Sequence, residues 1–577
     1  MPVHNADIAR VFAEIADLLE LENGNPFRVR AYRNAARIVE GQRVELAGLL
    51  AQGKAPPKLP GIGADLSAKI AEIAATGTCR LREQLTRRAP GGITELLRLP
   101  GLGPKRVQAL YRELDVHTPA QLQRAAQDGR LHGLPGFGEK TEAKLLEAAR
   151  AHLSKAHRFK LALAGEYARS LLEHLRQARG VGQAVVAGSF RRMKETVGDL
   201  DVLVTAADAT QVMRRFAAYG EVKQMLASGA TRASAMLACG IQVDLRVVPP
   251  ESFGAALHYF TGSKAHNIAV RRLGQERGLK INEYGVFKGK RRVAGETEES
   301  VYAAVGLPYI EPELREDQGE IEAARRGALP RLVTRDDLAG DLHAHTRATD
   351  GRNTLREMAE GARAHGLAYL GITEHSRRET MAHGLDPVRL AKQIDEIERL
   401  NRELRGVTLL KGIEVDILED GSLDLPDSVL ARLDLVIGAV HSKFNLSRAR
   451  QTERILAAME RPHFSILAHP SGRLIDAREP YDVDMLAVIR KARAQGVFLE
   501  LNAHPERLDL TDVHCRMAKD EGVLVALDSD AHDVDDFDNL AYGIGQARRG
   551  WLEKKDLLNT RPLAEVGKLL AARGGGR

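Results

Sequence analysis

Gly188-Ser189-Phe190-Arg191-Arg192, running on to Gly198-Asp199-Leu200-Asp201-Val202-Leu203-Val204, decides how the rest of this 577-residue chain reads. Val185-Val186-Ala187 before it and Val202-Leu203-Val204 after it are short β-branched runs that predict buried strands. Strand side chains alternate faces, so Asp199 and Asp201 project to the same side. Two carboxylates held that close repel each other unless a cation lies between them, and Mg²⁺, which shares oxygen ligands between protein and nucleotide phosphates, suits them. Ile241-Gln242-Val243-Asp244-Leu245-Arg246-Val247, another alternating strand, brings a third carboxylate. Three acids on neighbouring strands beside a Gly-Ser turn point to phosphoryl transfer with two metal ions.

The chain exceeds the size of one hydrophobic core, so roughly two to four domains are expected. Composition is globular, at 44% hydrophobic and 28% charged residues, with no apolar run long enough to span a bilayer. The start of the chain shows no export signal, and Cys79, Cys239 and Cys515 form no close pair, which fits a reducing cytoplasm. Residues 1–316 hold 46 Lys/Arg against 34 Asp/Glu; the remainder hold 38 against 44. The first half therefore reads as a polyanion binder and the second does not.

Helical periodicity runs through residues 1 to about 90 (Ile8, Val11, Phe12, Ile15, Leu18, Leu19), followed by a basic cluster with one aromatic: Arg28, Arg30, Tyr32 and Arg33. That cluster suits contact with phosphate and sugar. A repeat follows: Leu59-Pro60-Gly61-Ile62-Gly63, Leu99-Pro100-Gly101-Leu102-Gly103 and Leu134-Pro135-Gly136-Phe137-Gly138, each opening an amphipathic helix. Two glycines around one apolar residue make a tight turn that exposes amides at a helix N-terminus, a phosphate-binding arrangement that does not read sequence. The repeats resemble the helix-hairpin-helix motif, and the resemblance implies that Gly61, Gly63, Gly101, Gly103, Gly136 and Gly138 contact the DNA backbone.

With Tyr259-Phe260-Thr261-Gly262-Ser263 and Ile281-Asn282-Glu283-Tyr284 following in order, the chain from Asn25 to about Glu316 resembles the family X DNA polymerases, the family of polymerase beta. The resemblance implies that Asp199, Asp201 and Asp244 hold two Mg²⁺ ions, with Asp244 nearest the primer 3′-OH. It implies that Gly188, Ser189, Arg192 and Gly198 bind the triphosphate, that Tyr259, Phe260 and Gly262 line the sugar pocket, and that Asn267 touches the base edge. Lys264 stands where the animal enzymes carry Asp, so base-side contacts differ and Lys264 is expected to reach a phosphate. Lys69 aligns with the family's 5′-deoxyribose-phosphate lyase nucleophile, but the supporting lysine four residues earlier is Asp65, an acid that raises the amine's pKa and works against lyase chemistry.

From Gly340 the pattern becomes βα units whose apolar runs end on ligand-type residues: Asp341–His345, Leu370–His375, Leu410–Glu414, Val436–His441, Ile466–His469, Phe498–Asn502 and Val525–His532. Parallel strands of α/β barrels keep their chemistry at these ends, and mixed imidazole and carboxylate donors suit Zn²⁺ or Mn²⁺. Residues 338 to about 570 resemble the PHP phosphoesterase domain. The resemblance implies three metal positions: His343, His345, Glu414 and Asp530 at one; Glu414, His441 and His469 at a second; Asp350, His375 and His532 at a third.

The fold expected is multidomain, α+β and α/β: helical N-terminal and helix-hairpin-helix domains, a nucleotidyltransferase-type palm with a thumb- or finger-like subdomain, and a distorted (β/α)7 PHP barrel. The boundaries are a lyase-like helical domain with the first hairpin (1–90), a hairpin region (91–154), the palm (155–250), a nucleotide-selection subdomain (251–316), a polar, partly helical linker (317–337) and the PHP domain (338–577). The expected function is DNA-directed gap filling in repair, including base excision repair, with PHP-dependent 3′–5′ exonuclease or 3′-end processing. Expected partners are gapped or nicked DNA, 3′ ends and dNTPs, with no membrane, for a monomer in the cytoplasm at the nucleoid. The alternatives are a template-independent nucleotidyltransferase, a DNA-end-binding scaffold with residual phosphoesterase activity, and a polymerase fused to a small-molecule phosphatase.

Overall fold

The computed structural model describes residues 5–22, 24–40, 46–51, 62–88, 93–97, 99, 102–134, 136–156 and 158–574. Two compact units result, Met1–His157 and Arg158–Arg577.

The first unit is helical. Asn5–Leu21 packs on Pro26–Glu40 because their apolar faces meet: Ile8, Phe12, Ile15 and Leu19 are buried with Val29, Tyr32 and Val39. A second core forms around Leu102, Val107, Leu110, Phe137 and Leu145, where the later hairpins pack. The three hairpin helices are Ala64–Thr76, Pro104–Leu114 and Glu139–Ala156. Gly63 and Gly103 sit in extended backbone as N-caps without a side-chain cap, and Gly136 takes the turn at φ +86°, which a side chain would resist.

The second unit begins with a five-stranded sheet in the order Val181–Val186, Asp199–Ala206, Gln242–Val248, Arg232–Leu237, Val222–Ser228. Asp199–Ala206 and Gln242–Val248 are parallel and the other neighbours antiparallel. The predicted alternation holds: Leu200, Val202, Val243 and Leu245 are fully buried, which turns the intervening acids to the other face. Helices Phe253–Thr261 and Lys264–Glu276, a three-stranded sheet over 280–294 and helix Glu298–Ala304 follow around their own core. The polar stretch after them carries helix Glu320–Arg325, whose Ile321, Ala323 and Ala324 enter that core. Glu320 is fully buried there, with His266 Nδ1 at 2.6 Å.

Seven parallel strands then run in sequential order from Gly340–Ala344 to Val525–Asp528. First and last strands approach each other through Leu342 N donating to Asp528 Oδ1 (2.8 Å) and His345 N donating to the Ala531 carbonyl (2.8 Å), so the sheet nearly closes on itself. Its strand residues are buried almost throughout, as parallel strands covered by helices require. No described helix is long and apolar enough to cross a membrane.

Candidate active sites

In the palm, Asp201 lies directly opposite Asp244 in the parallel register, and Asp199 lies opposite Gln242. Ser234 and Gln242 both donate to the Asp244 carboxylate, the latter at 3.0 Å, which fixes its orientation. Burial first, then the neighbouring charges of Asp199 and Asp244, push Asp201 up to about 7; Arg246 and Arg192 only partly offset them. Asp199 is raised by burial and by Asp244. A cation among these acids would remove that repulsion, so the set fits a divalent ion. Among the described residues, however, the three are not a group whose ligand atoms all lie within 4.8 Å of one another.

The turn that faces them is shaped around one carboxylate. Gly188 has φ +64°, and a Cβ there would lie 2.6 Å from Asp201 Oδ2, so only glycine admits the acid. Ser189 follows on the short helix Gly188–Arg191, and Gly198 sits beside Arg158. Arg192 donates from Nε to Glu316 Oε1 (3.0 Å) and from Nη1 to the Thr261 carbonyl. Gly262, at φ +70°, closes on the same guanidinium, since a Cβ there would stand 3.2 Å from Arg192 Nη1. Tyr259 and Phe260 carry arginines over their rings, Arg271 at 5.0 Å and Arg246 at 4.4 Å. Asn267 donates to the Tyr259 carbonyl (2.7 Å), while Lys264 is exposed in the first turn of its helix.

In the first unit, Arg28 is exposed but Tyr32 is a correction to the surface cluster: it is 3% exposed, with its ring 5.8 Å from Phe12. Its place on the apolar stripe of Pro26–Glu40 puts it in the core. Arg33 is occupied by Asp17 (3.2 Å) and Glu20. Gly63, Gly103, Gly136 and Gly138 are exposed with open space where a Cβ would be, whereas Gly61 and Gly101 lie outside the described residues. Burial disfavours the Lys69 charge, but its hydrogen bond to Asp65 and the nearby Tyr32 hydroxyl outweigh this and hold the ammonium above its ordinary value.

The barrel mouth is far denser. His343 Nε2 and His345 Nε2 face each other at 3.2 Å, with Asp530 Oδ1 3.5 and 3.2 Å away. Two ring nitrogens aimed at one another beside a carboxylate oxygen are what a shared cation would satisfy. Glu414 Oε1 lies 3.3 Å from His441 and 2.9 Å from His469, and its Oε2 lies 2.7 Å from His375 Nδ1 in a geometry that makes no hydrogen bond. Asp350 stands 3.4 Å from His375 and 3.5 Å from His532. Buried His345 Nδ1, Glu414 Oε2 and Asp416 Oδ2 are also without hydrogen-bond partners, so the donor set fits metal ions.

The groupings differ in detail from those expected. His345 joins Asp350, His375 and His532 in one sphere, and His375 meets Glu414 and His441 in another; His469 touches Glu414 from the side. Against the penalty of burial, His441, His375 and His343 hold Glu414 well below the carboxylate range. Burial and the charges of His532 and His375 push His345 down to about 3, while burial and Arg507 do the same to His469. His441 rises to about 9 despite burial, because Glu414 and Asp416 face it.

Several supporting residues carried no expectation. Glu500 Oε1 is 2.5 Å from His343 Nδ1, and Asp416 Oδ1 is 2.8 Å from His441 Nδ1, so each fixes a ring. Asn502 Nδ2 donates to Asp530 (2.9 Å), and Arg507 lies 3.5 Å from the same carboxylate with its buried Nη1 unpartnered. Glu379 forms a further group with Asp416 and His441. Glu500 was signalled by strand alternation in Phe498-Leu499-Glu500-Leu501-Asn502, where an acid sits in step with the terminal Asn.

Profiles of known families match along the chain: a helix-hairpin-helix domain over 3–79, a SAM-like helix-hairpin-helix tandem over 93–151, the DNA polymerase beta palm over 162–239, the DNA polymerase beta thumb over 256–316 and a PHP domain over 341–504. The DNA polymerase/3′-5′ exonuclease PolX of Bacillus subtilis (strain 168) is 39% identical over 571 residues, spanning 98% of this chain and 99% of its own. A probable phosphatase of Thermoanaerobacter sp. (strain X514) is 29% identical over 240 residues, 40% of this chain and 91% of its own. A solved ternary complex of Leishmania infantum polymerase beta has 20% identity and a TM-score of 0.27, covering 39% of this chain and 97% of that one.

Proposed function

The chain belongs to the family of the bacterial DNA polymerase/3′-5′ exonuclease PolX, and on that premise we propose that it fills short DNA gaps with its palm and trims or cleans 3′ ends with its barrel. The observation that most supports both activities in one protein is the pairing of two separate acidic centres. One consists of Asp199, Asp201 and Asp244 on adjacent parallel strands. The other gathers six histidines around Asp350, Glu414 and Asp530 at the mouth of a nearly closed barrel.

In the palm, Asp244 faces the primer 3′-OH, its carboxylate oriented by Ser234 and Gln242. Ser189, Arg192 and the Gly188 and Gly198 backbone receive the triphosphate. Tyr259, Phe260 and Gly262 hold the sugar, with Asn267 and Lys264 on the base and phosphate sides. In the barrel, Glu414, Asp530 and the imidazoles would hold metal ions, and the unpartnered Arg507 nitrogen would take a phosphate oxygen. Mg²⁺ at the palm acids and Mn²⁺ or Zn²⁺ at the barrel would neutralise phosphate charge and make the attacking hydroxyl or water easier to deprotonate. The exposed hairpin glycines grip the DNA backbone, which predicts affinity that falls steeply with salt. Lys69, kept protonated by Asp65, is a poor Schiff-base nucleophile, so lyase activity is weak. The protein acts as a monomer in the cytoplasm, at the nucleoid.

A gapped duplex with a labelled primer, incubated with Mg²⁺ or Mn²⁺ with and without dNTPs, tests both halves. Templated lengthening with nucleotides and shortening without them is the expected result. Extension that ignores the template base would instead make the palm a template-independent transferase. Release of phosphate from small phosphomonoesters, with no shortening of DNA, would make the barrel a phosphatase like the relatives that match it alone.

A further inference from the structure

Arg549 ends the barrel helix Leu540–Arg549, yet its guanidinium is spent on the palm. Its side chain is 3% exposed. Nη1 donates both to the Arg192 carbonyl (2.9 Å) and to Glu316 Oε1 (3.0 Å), and Nη2 donates to Asp512 Oδ2 (2.6 Å). The same Glu316 oxygen accepts from Arg192 Nε at 3.0 Å. One carboxylate oxygen is thus shared between the arginine assigned to the triphosphate and an arginine from the other catalytic domain. Lys194 Nζ is the next cation, 4.0 Å from that oxygen. The seat is tight on both sides: Met193 is at φ +54°, and a Cβ on Gly545 of the barrel helix would lie 2.4 Å from Met193 Cε.

These contacts have an energetic consequence. Arg192 meets an incoming triphosphate only by giving up some of its hold on Glu316. Were Arg192 the sole partner, its departure would leave a largely buried carboxylate unpaired, a penalty charged directly against nucleotide affinity. Arg549 remains on Glu316 when Arg192 leaves and at the same time pins the Arg192 backbone.

We infer that Arg549 is a positioning residue for nucleotide binding: the barrel lends the palm a cation that keeps Glu316 paired and so lets the Arg192 side chain exchange Glu316 for the triphosphate. The inference rests on Arg192 being a triphosphate ligand. It predicts that Arg549, outside both catalytic centres, tunes dNTP affinity without taking part in either reaction.

The test is single-nucleotide gap filling by the full-length chain, with KM for dNTP and kcat measured separately, alongside Mn²⁺-dependent shortening of a single strand. Arg549→Met should raise KM for dNTP about tenfold, the size of one lost buried charge pairing, with kcat within about twofold and shortening unchanged. Adding Glu316→Gln to that variant should return KM to within about threefold of the parent, because a neutral amide no longer holds Arg192. Glu316→Gln alone should leave KM unchanged or lower it. An unchanged KM in Arg549→Met, a joint fall in kcat and shortening, no rescue in the double variant, or a raised KM in Glu316→Gln would each overturn the inference. Arg192→Met separates the two layers. If it leaves KM unaltered, the assignment of Arg192 to the triphosphate is what has failed; if it raises KM while Arg549→Met does not, only the role of Arg549 has.

Discussion

In the barrel, Glu414 alone lies within 3.8 Å of His343, His345, His375, His441 and His469, and Asp530 meets His343 and His345. In the palm, the neighbouring acids act on Asp199 and Asp201 through their charge, with Arg246, Arg192 and Arg158 in partial compensation. Glu414 and Asp530 are therefore held below the ordinary carboxylate range, while Asp199 and Asp201 are pushed above it. A cluster that balances its own charge is preassembled and suits ions that stay. Acids left in repulsion suit a cation that arrives with its ligand, and the proposed Mg²⁺ would come with the nucleotide phosphates. On the proposed reading, the two centres would differ in when a metal binds: resident in the barrel, arriving with nucleotide in the palm.

Reciprocal variants are the strongest way to break that comparison. Asp201→Ala should reduce primer extension by roughly 10³-fold or more while shortening persists, and His345→Ala should do the reverse, since each removes charge stabilisation from a different reaction. Extension and shortening assays on both variants check it. Both activities falling together in each would mean one shared centre. A second contrast concerns stability. Stripping metal with a chelator and restoring Mn²⁺ should raise the melting temperature of the barrel transition by roughly 5 °C or more, because buried ligands couple binding to folding. Restoring Mg²⁺ alone should move it far less. Equal responses to the two ions would remove the distinction between a resident and a visiting metal.

Much of this was legible because both centres sit at strand ends, where alternation decides which way a side chain points. Asp199 and Asp201, or His343 and His345, are two residues apart and so share a face whatever the rest of the chain does. The strand runs read from Gly340 onward are the barrel strands observed. What escaped depends on partners remote in sequence. Glu320 looked like part of a polar connection because its burial is compensated by His266, 54 residues upstream. Tyr32 looked like a surface aromatic among arginines, but helical register outranks neighbours in sequence and turns it toward Phe12. Asp416 and Arg549 matter through residues they touch, and no local pattern announces that.

A smaller effect probes how rigidly the barrel is preassembled. Glu500→Gln keeps size but removes the charge that fixes the His343 ring, so shortening should fall roughly 10- to 100-fold, the usual cost of losing such a partner, with extension unaffected. Metal content of the purified variant, measured alongside, should fall as well. Full shortening activity with full metal content would mean that the ring is held by packing alone.

The smallest effect, and the one most specific to the palm, is a pH dependence in the absence of metal. Folding raises the Asp201 pKa from 3.8 to about 7, through burial and then the charges of Asp199 and Asp244. A carboxyl raised by folding penalises the fold wherever the unfolded chain ionises more readily than the folded one. Stability is therefore whole below about 4, where the group is protonated folded or unfolded, and is lost as pH rises through about 7. Asp201→Asn cannot ionise and escapes that loss. In chelator, the variant should melt with the parent at pH 4 and roughly 2 °C or more above it at pH 8, a modest gap because solvent reaches part of the carboxylate. Saturating Mg²⁺ at pH 8 should close the gap from the parent's side, because the cation binds the parent's carboxylates and offsets their repulsion. A difference that stays constant across pH would show that packing around residue 201, rather than carboxylate repulsion, sets the energetics of the palm.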